Sequence, residues 1–303
     1  MQMKSTSFAL LAALMGIMTL TAGIHDNAGQ YGYQFLDIST NPVALALAGR
    51  GIQGGADQAS YLRQPASGLL ESHRSLGVSH SLWLADTKFN NLNYSYSNRK
   101  YHFGLALRNL DYGILEIRDD NGYLIGEYSP LNMDLTANYA LRVTPSIYAG
   151  LNAGVAYEKL NTDSSLGLHG DLGFTWLPPV QNTMFSLAAR NLGLSSAMNE
   201  DRTLFAPSLE LDLCKAWDFG NTDLSLEVSG IKAIDENWKA AASTEISLYD
   251  LVHLRLGYKL NYDAENLSAG LGIRWRKIGV DYGWAAYSSR LNDVHAFGLS
   301  YFF

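Results

Sequence analysis

The sequence predicts an all-β chain: a transmembrane antiparallel β-barrel of about fourteen strands behind a non-alternating N-terminal segment. Three observations carry this. Apolar residues recur with a period of two over segments of about ten residues. The opposite face mixes glycine, alanine and serine with isolated charges. A secretion-type leader stands at one end and an alternating aromatic segment at the other.

The alternation is clearest where Leu131, Met133, Leu135, Ala137, Tyr139, Leu141 and Val143 are all apolar. Between them stand Asn132, Asp134, Thr136, Asn138, Ala140 and Arg142. Successive strand residues point to opposite faces, so this is a ribbon with one greasy and one wet side. The pattern returns over 166–176, 267–275 and 278–286. A soluble sandwich alternates too, and three features decide between water and lipid. The segment lengths suit a tilted strand crossing a bilayer. Trp176, Trp275, Tyr139 and Tyr157 stand near segment ends, as an interfacial girdle requires. The wet phase carries Asp134, Arg142, Asp171, Arg274 and Asp281, charges too costly for a dry core and tolerable in a polar barrel interior. These five are the candidate lumen-facing residues; the aspartates either line a binding path or, as favoured, pair with Arg142 and Arg274.

The strands are expected at 75–86, 89–98, 100–110, 131–143, 146–158, 166–177, 183–191, 206–217, 222–231, 237–248, 252–261, 266–275, 277–287 and 294–303. Alternating the connections between two ends puts 98–100, 144–145, 177–182, 218–222, 249–250 and 276–277 on one. The other receives 111–130, 159–165, 193–205, 232–236, 262–265 and 288–293, including the two longest. Short periplasmic turns and longer external loops are the habit of outer-membrane barrels, which places both termini in the periplasm. Asp119-Asp120-Asn121-Gly122 marks a tight turn, so a small external hairpin is expected within 111–130.

At the N-terminus, Lys4 precedes an apolar core from Phe8 to Leu20, with small residues up to Gly23. That is a signal peptide over 1–23, too short for a spanning helix of about 20 apolar residues. No later stretch is apolar enough to cross as a helix, so membrane residence requires a closed barrel. Residues 24–74 do not alternate. They hold a short helical stretch near 41–48, with Pro42 suited to a first turn, and another near 57–63. This arm either lies in the periplasm or folds into the lumen as a plug, and the plug is favoured because a barrel of about fourteen strands is too wide for its own side chains to fill. The barrel itself is 75–303. On its last strand Phe297, Leu299, Tyr301 and Phe303 share one phase and resemble the C-terminal signal read by barrel assembly machinery.

Composition excludes several functions. The 303 residues carry a formal net charge of -7 and no long basic run, which argues against a nucleic-acid partner. At 47% hydrophobic and 12% aromatic the chain is not disordered. Cys214 is the single cysteine, so there is no disulfide framework or Cys-rich metal site. Gly49-Arg50-Gly51-Ile52-Gln53-Gly54 fits G-x-G-x-x-G, but that fingerprint needs a βαβ unit, which an antiparallel chain lacks. The histidines show no metalloprotease spacing, and no nucleophile-elbow motif occurs. Ser79-His80-Ser81 places neighbours on opposite faces, so it makes no nucleophile–base pair. No catalytic, cofactor or metal residue is assigned.

Three stretches carry a family resemblance. The first is Asn41-Pro42-Val43-Ala44-Leu45-Ala46-Leu47-Ala48-Gly49, continuing through Ala56-Asp57-Gln58-Ala59-Ser60 to Gln64-Pro65-Ala66-Ser67-Gly68-Leu69. The second is Gly126-Glu127-Tyr128 leading into 132–142. The third is 150–157 with His169-Gly170-Asp171-Leu172-Gly173 and Ala189-Arg190-Asn191-Leu192-Gly193. Together they resemble the PorV/PorQ family of outer-membrane proteins, related to FadL-type barrels. The chain departs from that pattern at Gln64, at the inserted Ser67 and at Arg50, which interrupts the glycines. The resemblance implies a FadL-like 14-stranded barrel with an N-terminal hatch, acting without catalysis in type IX secretion and protein transport to the surface. Its implied partners are outer-membrane lipids, the barrel assembly machinery and a secreted or secretion-system protein bound by the external loops. The alternative is a FadL-like channel for uptake of hydrophobic small molecules. An outer-membrane hydrolase is the third and weakest option, since it needs a Ser/His pair meeting across two strands.

Overall fold

A computed structural model describes residues 25–39, 41–50, 57–70, 74–199, 201–288 and 291–303. The expected signal peptide at 1–23 and the glycine motif beyond Arg50 lie outside the described residues.

Alternating segments joined by short links pair with their sequence neighbours, and the row of strands closes on itself. The barrel strands are β1 (Arg74–Leu82), β2 (Lys88–Ser97), β3 (Tyr101–Asp111), β4 (Leu131–Thr144), β5 (Ile147–Leu160), β6 (Asp163–Trp176) and β7 (Thr183–Ser195). They continue with β8 (Ser208–Asp218), β9 (Thr222–Ala233), β10 (Lys239–Leu248), β11 (Val252–Leu260), β12 (Glu265–Trp275), β13 (Ile278–Tyr287) and β14 (Val294–Phe302). Closure is made by β14 on β1, from Ser75 opposite Phe302 to Leu82 opposite His295. The result is a closed antiparallel barrel of 14 strands, as the alternation predicts. No described helix is long and apolar enough to cross a membrane.

The two phases separate cleanly. On β4 the outward Leu135 is 48% exposed, while the inward Asp134 next to it is 1% exposed. Outward rows are dominated by Leu, Val, Ile, Phe and Tyr on every side of the barrel, including Leu76, Leu105, Leu151, Leu254 and Leu299. A continuous apolar wall of this kind is stable against hydrocarbon and a liability in water.

Three boundaries differ from expectation. β1 stops at Leu82 because Ala85 and Asp86 adopt left-handed φ of 54° and 61°, turning the chain through a 3₁₀ element at Leu84–Asp86. The expected loop at 159–165 shrinks to Asn161-Thr162, with Asn161 in the left-handed region that asparagine tolerates. β7 runs to Ser195 through a bulge at Ala189–Leu192, where Asn191 has φ 56°. The long connection at 111–130 contains a hairpin, Leu115–Arg118 paired with Leu124–Tyr128. Its turn is held by the Asp119 carboxylate, which accepts from the Asn121 and Tyr123 amides.

The described residues 33–39, 41–50 and 57–70 lie against the inward faces of the strands. Helix α1 (Pro42–Ala46) follows Asn41, whose side chain accepts from the Ala44 amide at 2.8 Å, and Pro42 sits in its first turn. The second expected helix is shorter, a 3₁₀ turn at Ser60–Leu62. Inward glycines make the approach possible. A Cβ on Gly150 would overlap the Pro65 carbonyl, and one on Gly283 the Pro42 carbonyl. Leu45 of α1 packs with Ala285, Val294 and Ala296.

Candidate functional site

The inward phase brings together buried charges that tie the arm to the wall. On the side of β3 to β6, Asp134 accepts from Arg108 Nε at 3.0 Å and Nη2 at 2.8 Å, and from Thr136 Oγ1 at 2.7 Å. His169 Nε2 lies 2.7 Å from its other oxygen. Arg108 also donates to the Leu36 carbonyl of the arm. Asp171 accepts from Asn152 Nδ2 at 2.9 Å and from the Asn191 amide exposed by the β7 bulge. Asn152 and Asn138 in turn donate to the Tyr61 and Pro65 carbonyls, so strand side chains supply partners to the arm's backbone.

Across the lumen Glu210 is a hub. Its two oxygens receive Arg50 at 2.6 Å, Arg63 at 3.1 Å and Arg190 at 3.0 Å. Arg50 and Arg63 belong to the arm and Arg190 to β7, so one carboxylate fastens two parts of the molecule. Arg190 reaches Asp37 of the arm as well. Arg50, Arg63, Arg108, Arg190 and Asp57 border a void of about 20 Å³, room for about one water. Burial pushes the Asp57 carboxyl up to about 6, against the hydrogen bonds it accepts from the Ala59 amide and Asn41. Burial and the neighbouring Arg50 pull Arg63 below the usual guanidinium range.

A third cluster joins Arg255 to Glu245 at 2.5 Å and to Asp281 at 2.6 Å. At the loop end a cavity of about 220 Å³ is bordered by Asp37, Arg63, Lys239, Lys259, Tyr262 and Glu265. Lys239 and Lys259 lie over the Tyr262 ring at 4.6 and 4.9 Å, and pair with Glu236 and Glu265.

Of the five residues chosen from sequence, Asp134, Asp171 and Asp281 are buried and face inward. Two further arginines hold these acids: Arg108 pairs with Asp134, and Arg255 with Asp281. Arg142 and Arg274 share the inward phase and lie near the turn ends of their strands. Arg142 is exposed and donates to the Thr144 and Pro145 carbonyls of its own turn; Arg274 lies over the Phe302 ring at 4.1 Å. Phe297, Leu299, Tyr301 and Phe303 line the outside of the barrel along β14 and just past it. Sequence reasoning missed Arg50, Arg108, Arg190, Glu210, Glu245 and Arg255. All but Arg50 stand on the inward phase of strands the alternation identifies; Glu210 and Asp212 alternate with Leu209, Leu211 and Leu213.

Near the loop end the wall changes character. Pairing of β7 with β8 stops at Arg190 opposite Ser208, while β7 continues to Ser195. The seam above is occupied by Leu204–Phe205, which pairs in parallel with Tyr31–Gly32 of the arm. Phe205 turns inward and stacks on Tyr33 at 4.2 Å. Both belong to an apolar cluster with Phe35, Leu36, Phe89, Leu110 and Ala156. An apolar cluster thus stands beside an interrupted stretch of wall.

No family model matches the sequence, and no curated protein does. Solved structures do. The toluene transporter TodX of Pseudomonas putida superposes with a TM-score of 0.60 at 12% identity, over 88% of this chain and 98% of that one. The CymD monoaromatic hydrocarbon channel gives 0.62 at 12%, over 88% and 97%. A Pseudomonas aeruginosa FadL homologue gives 0.51 at 11%, over 87% and 98%. The fold is FadL-like. These neighbours bear out the expected FadL-like fold and support neither the PorV/PorQ family assignment nor its secretion role.

Proposed function

We propose that this chain is a non-enzymatic outer-membrane barrel that passes small hydrophobic compounds, with residues 25–70 as its hatch. The supporting observation is the apolar cluster around Tyr33 and Phe205 at the wall seam. A hydrophobic molecule would pass from the loop end to the β7–β8 seam by displacing Phe205 from this cluster, while the charged lower lumen stays closed. The neighbours whose titles name a toluene transporter and a monoaromatic hydrocarbon channel support the same solute class. In this proposal the short turns and both termini face the periplasm, and the outward row from Phe297 to Phe303 serves assembly. The secretion role has no comparable support and is set aside in favour of the channel.

Toluene uptake by cells lacking other such barrels tests it. Cells carrying the protein are expected to take up toluene several-fold faster than cells without it. Phe205→Ala, which unblocks the seam, raises the rate further, and uptake of a small sugar stays at background. Equal toluene uptake with and without the protein would contradict the proposal.

A further inference from the structure

We propose that one arc of the turn-end rim, from the β12–β13 turn to the β2–β3 turn, binds the headgroups of anionic phospholipids. Five cations stand on this arc: Arg276 and Lys277 in the first turn, Arg74 at the start of β1, and Arg99 and Lys100 in the last. All five are exposed, and none has an ion-pair partner among the described residues. No described Asp or Glu lies in these turns. The acids of this end, Asp218, Asp223 and Asp250, sit on the far arc, around the β8–β9 and β10–β11 turns. The rim is therefore polarised.

Backbone bonds make the cationic arc continuous. The Phe302 amide donates to the Lys277 carbonyl at 2.8 Å, and the Phe303 amide to the Arg74 carbonyl at 3.0 Å. Aromatic rings stand beside the cations. Arg276 lies over Trp275 at 4.9 Å, Lys277 over Tyr301 at 5.9 Å, and Arg74 over Tyr96 at 5.5 Å and Phe303 at 5.9 Å. Rings at this level fix the depth of the barrel in the interface and hold the cations at its border.

The occupant follows from what covers the wall next to the arc. The outward rows ending at Trp275, Tyr301 and Tyr96 are apolar, so acyl chains cover them, and the layer bordering acyl chains is headgroups. A guanidinium matches a phosphodiester with two parallel hydrogen bonds, and an ammonium meets it as a point charge. With no side-chain carboxylate in these turns, and only the Phe303 α-carboxylate beside Arg74 against five cations, the arc prefers headgroups with net negative charge over zwitterionic ones. This inference rests on the lipid-facing wall and not on the solute the barrel carries.

Spin-labelled lipids in phosphatidylcholine vesicles holding the full protein test it, since they report which lipids are retained against the barrel. Each cation near an anionic surface favours an anionic lipid by about fivefold, diluted over the rest of the shell to a preference for phosphatidylglycerol of about twofold. The combined Arg74→Gln, Arg276→Gln and Lys277→Gln variant is expected to return to parity. Lys88→Gln with Lys159→Gln, exposed cations at the loop end, keeps the preference. In unmodified protein the preference disappears toward 1 M salt, where screening acts within about 3 Å. Heat-dependent gel mobility reports separately that each variant is a folded barrel. Parity in the unmodified protein, a preference untouched by the triple substitution or by salt, or its full loss to millimolar inorganic phosphate, which marks a free-phosphate site, would each overturn the proposal.

Discussion

Replacing Glu210 with alanine is expected to cost about 3–5 kcal/mol and to loosen residues 25–70 from the barrel interior. The cost comes from what is left behind. Arg50, Arg63 and Arg190 converge on this one carboxylate, and Arg50 and Arg190 are almost fully buried. Without it, guanidinium groups face one another in a space from which water is largely excluded, with Asp37 and Asp212 as the remaining counter-charges. The molecule's cheapest relief is to move the part not held by a β-ladder, which is the arm. Denaturant unfolding measures the loss, and trypsin cleavage after Arg50 or Arg63 reports release of the arm. Glu210→Gln keeps the acceptor oxygen and the volume, and should lose less. A Glu210→Ala protein as stable and as trypsin-resistant as the parent would remove the ion cluster from the account of how the arm is held.

Gly283→Val is the second large effect. Even a Cβ at this inward position on β13 would overlap the Pro42 carbonyl, and two further methyl groups enter the space of α1. Ordinary overpacking costs about 1–3 kcal/mol, and here the obstacle is backbone that no rotamer change relieves. The strand ladder from β12 through β14 does not depend on that contact. The expected product is a barrel with normal heat-dependent mobility, an arm cleaved rapidly by trypsin, and raised single-channel conductance in a planar bilayer. Normal protection of the arm in this variant would show that α1 does not pack on β13 in the membrane.

The strands were the most legible part of the chain. In β4, β6, β12 and β13 most residues obey one phase rule, because each face meets a single kind of environment along most of its length. Boundaries slipped where a single left-handed residue acts, as at Ala85, Asn161 and Asn191. Such a residue turns or bulges the chain without disturbing hydrophobic period. The site was half legible. Phase alone puts Asp134, Asp171 and Asp281 inside, but pairing depends on which strands are neighbours and how far along the axis each residue lies. Period alone therefore does not reveal that Arg108 holds Asp134 or that Arg255 holds Asp281. Arg50 was hidden differently, within a glycine motif whose usual context is absent. The inward glycines Gly150 and Gly283 were visible only as small residues on the wet phase. Their meaning appears once Pro65 and Pro42 are seen against them.

The central claim is that the apolar phase of these strands touches acyl chains while the polar phase faces an interior filled by the arm. Single cysteines carrying a bimane label at 133 through 139 on β4, in vesicles of brominated lipid, test it most directly; Cys214 is buried and can be replaced by alanine. Quenching is expected at 133, 135, 137 and 139 and not at 134, 136 or 138. Quenching without that alternation, or strongest at the even positions, would contradict the barrel's orientation and everything built on it.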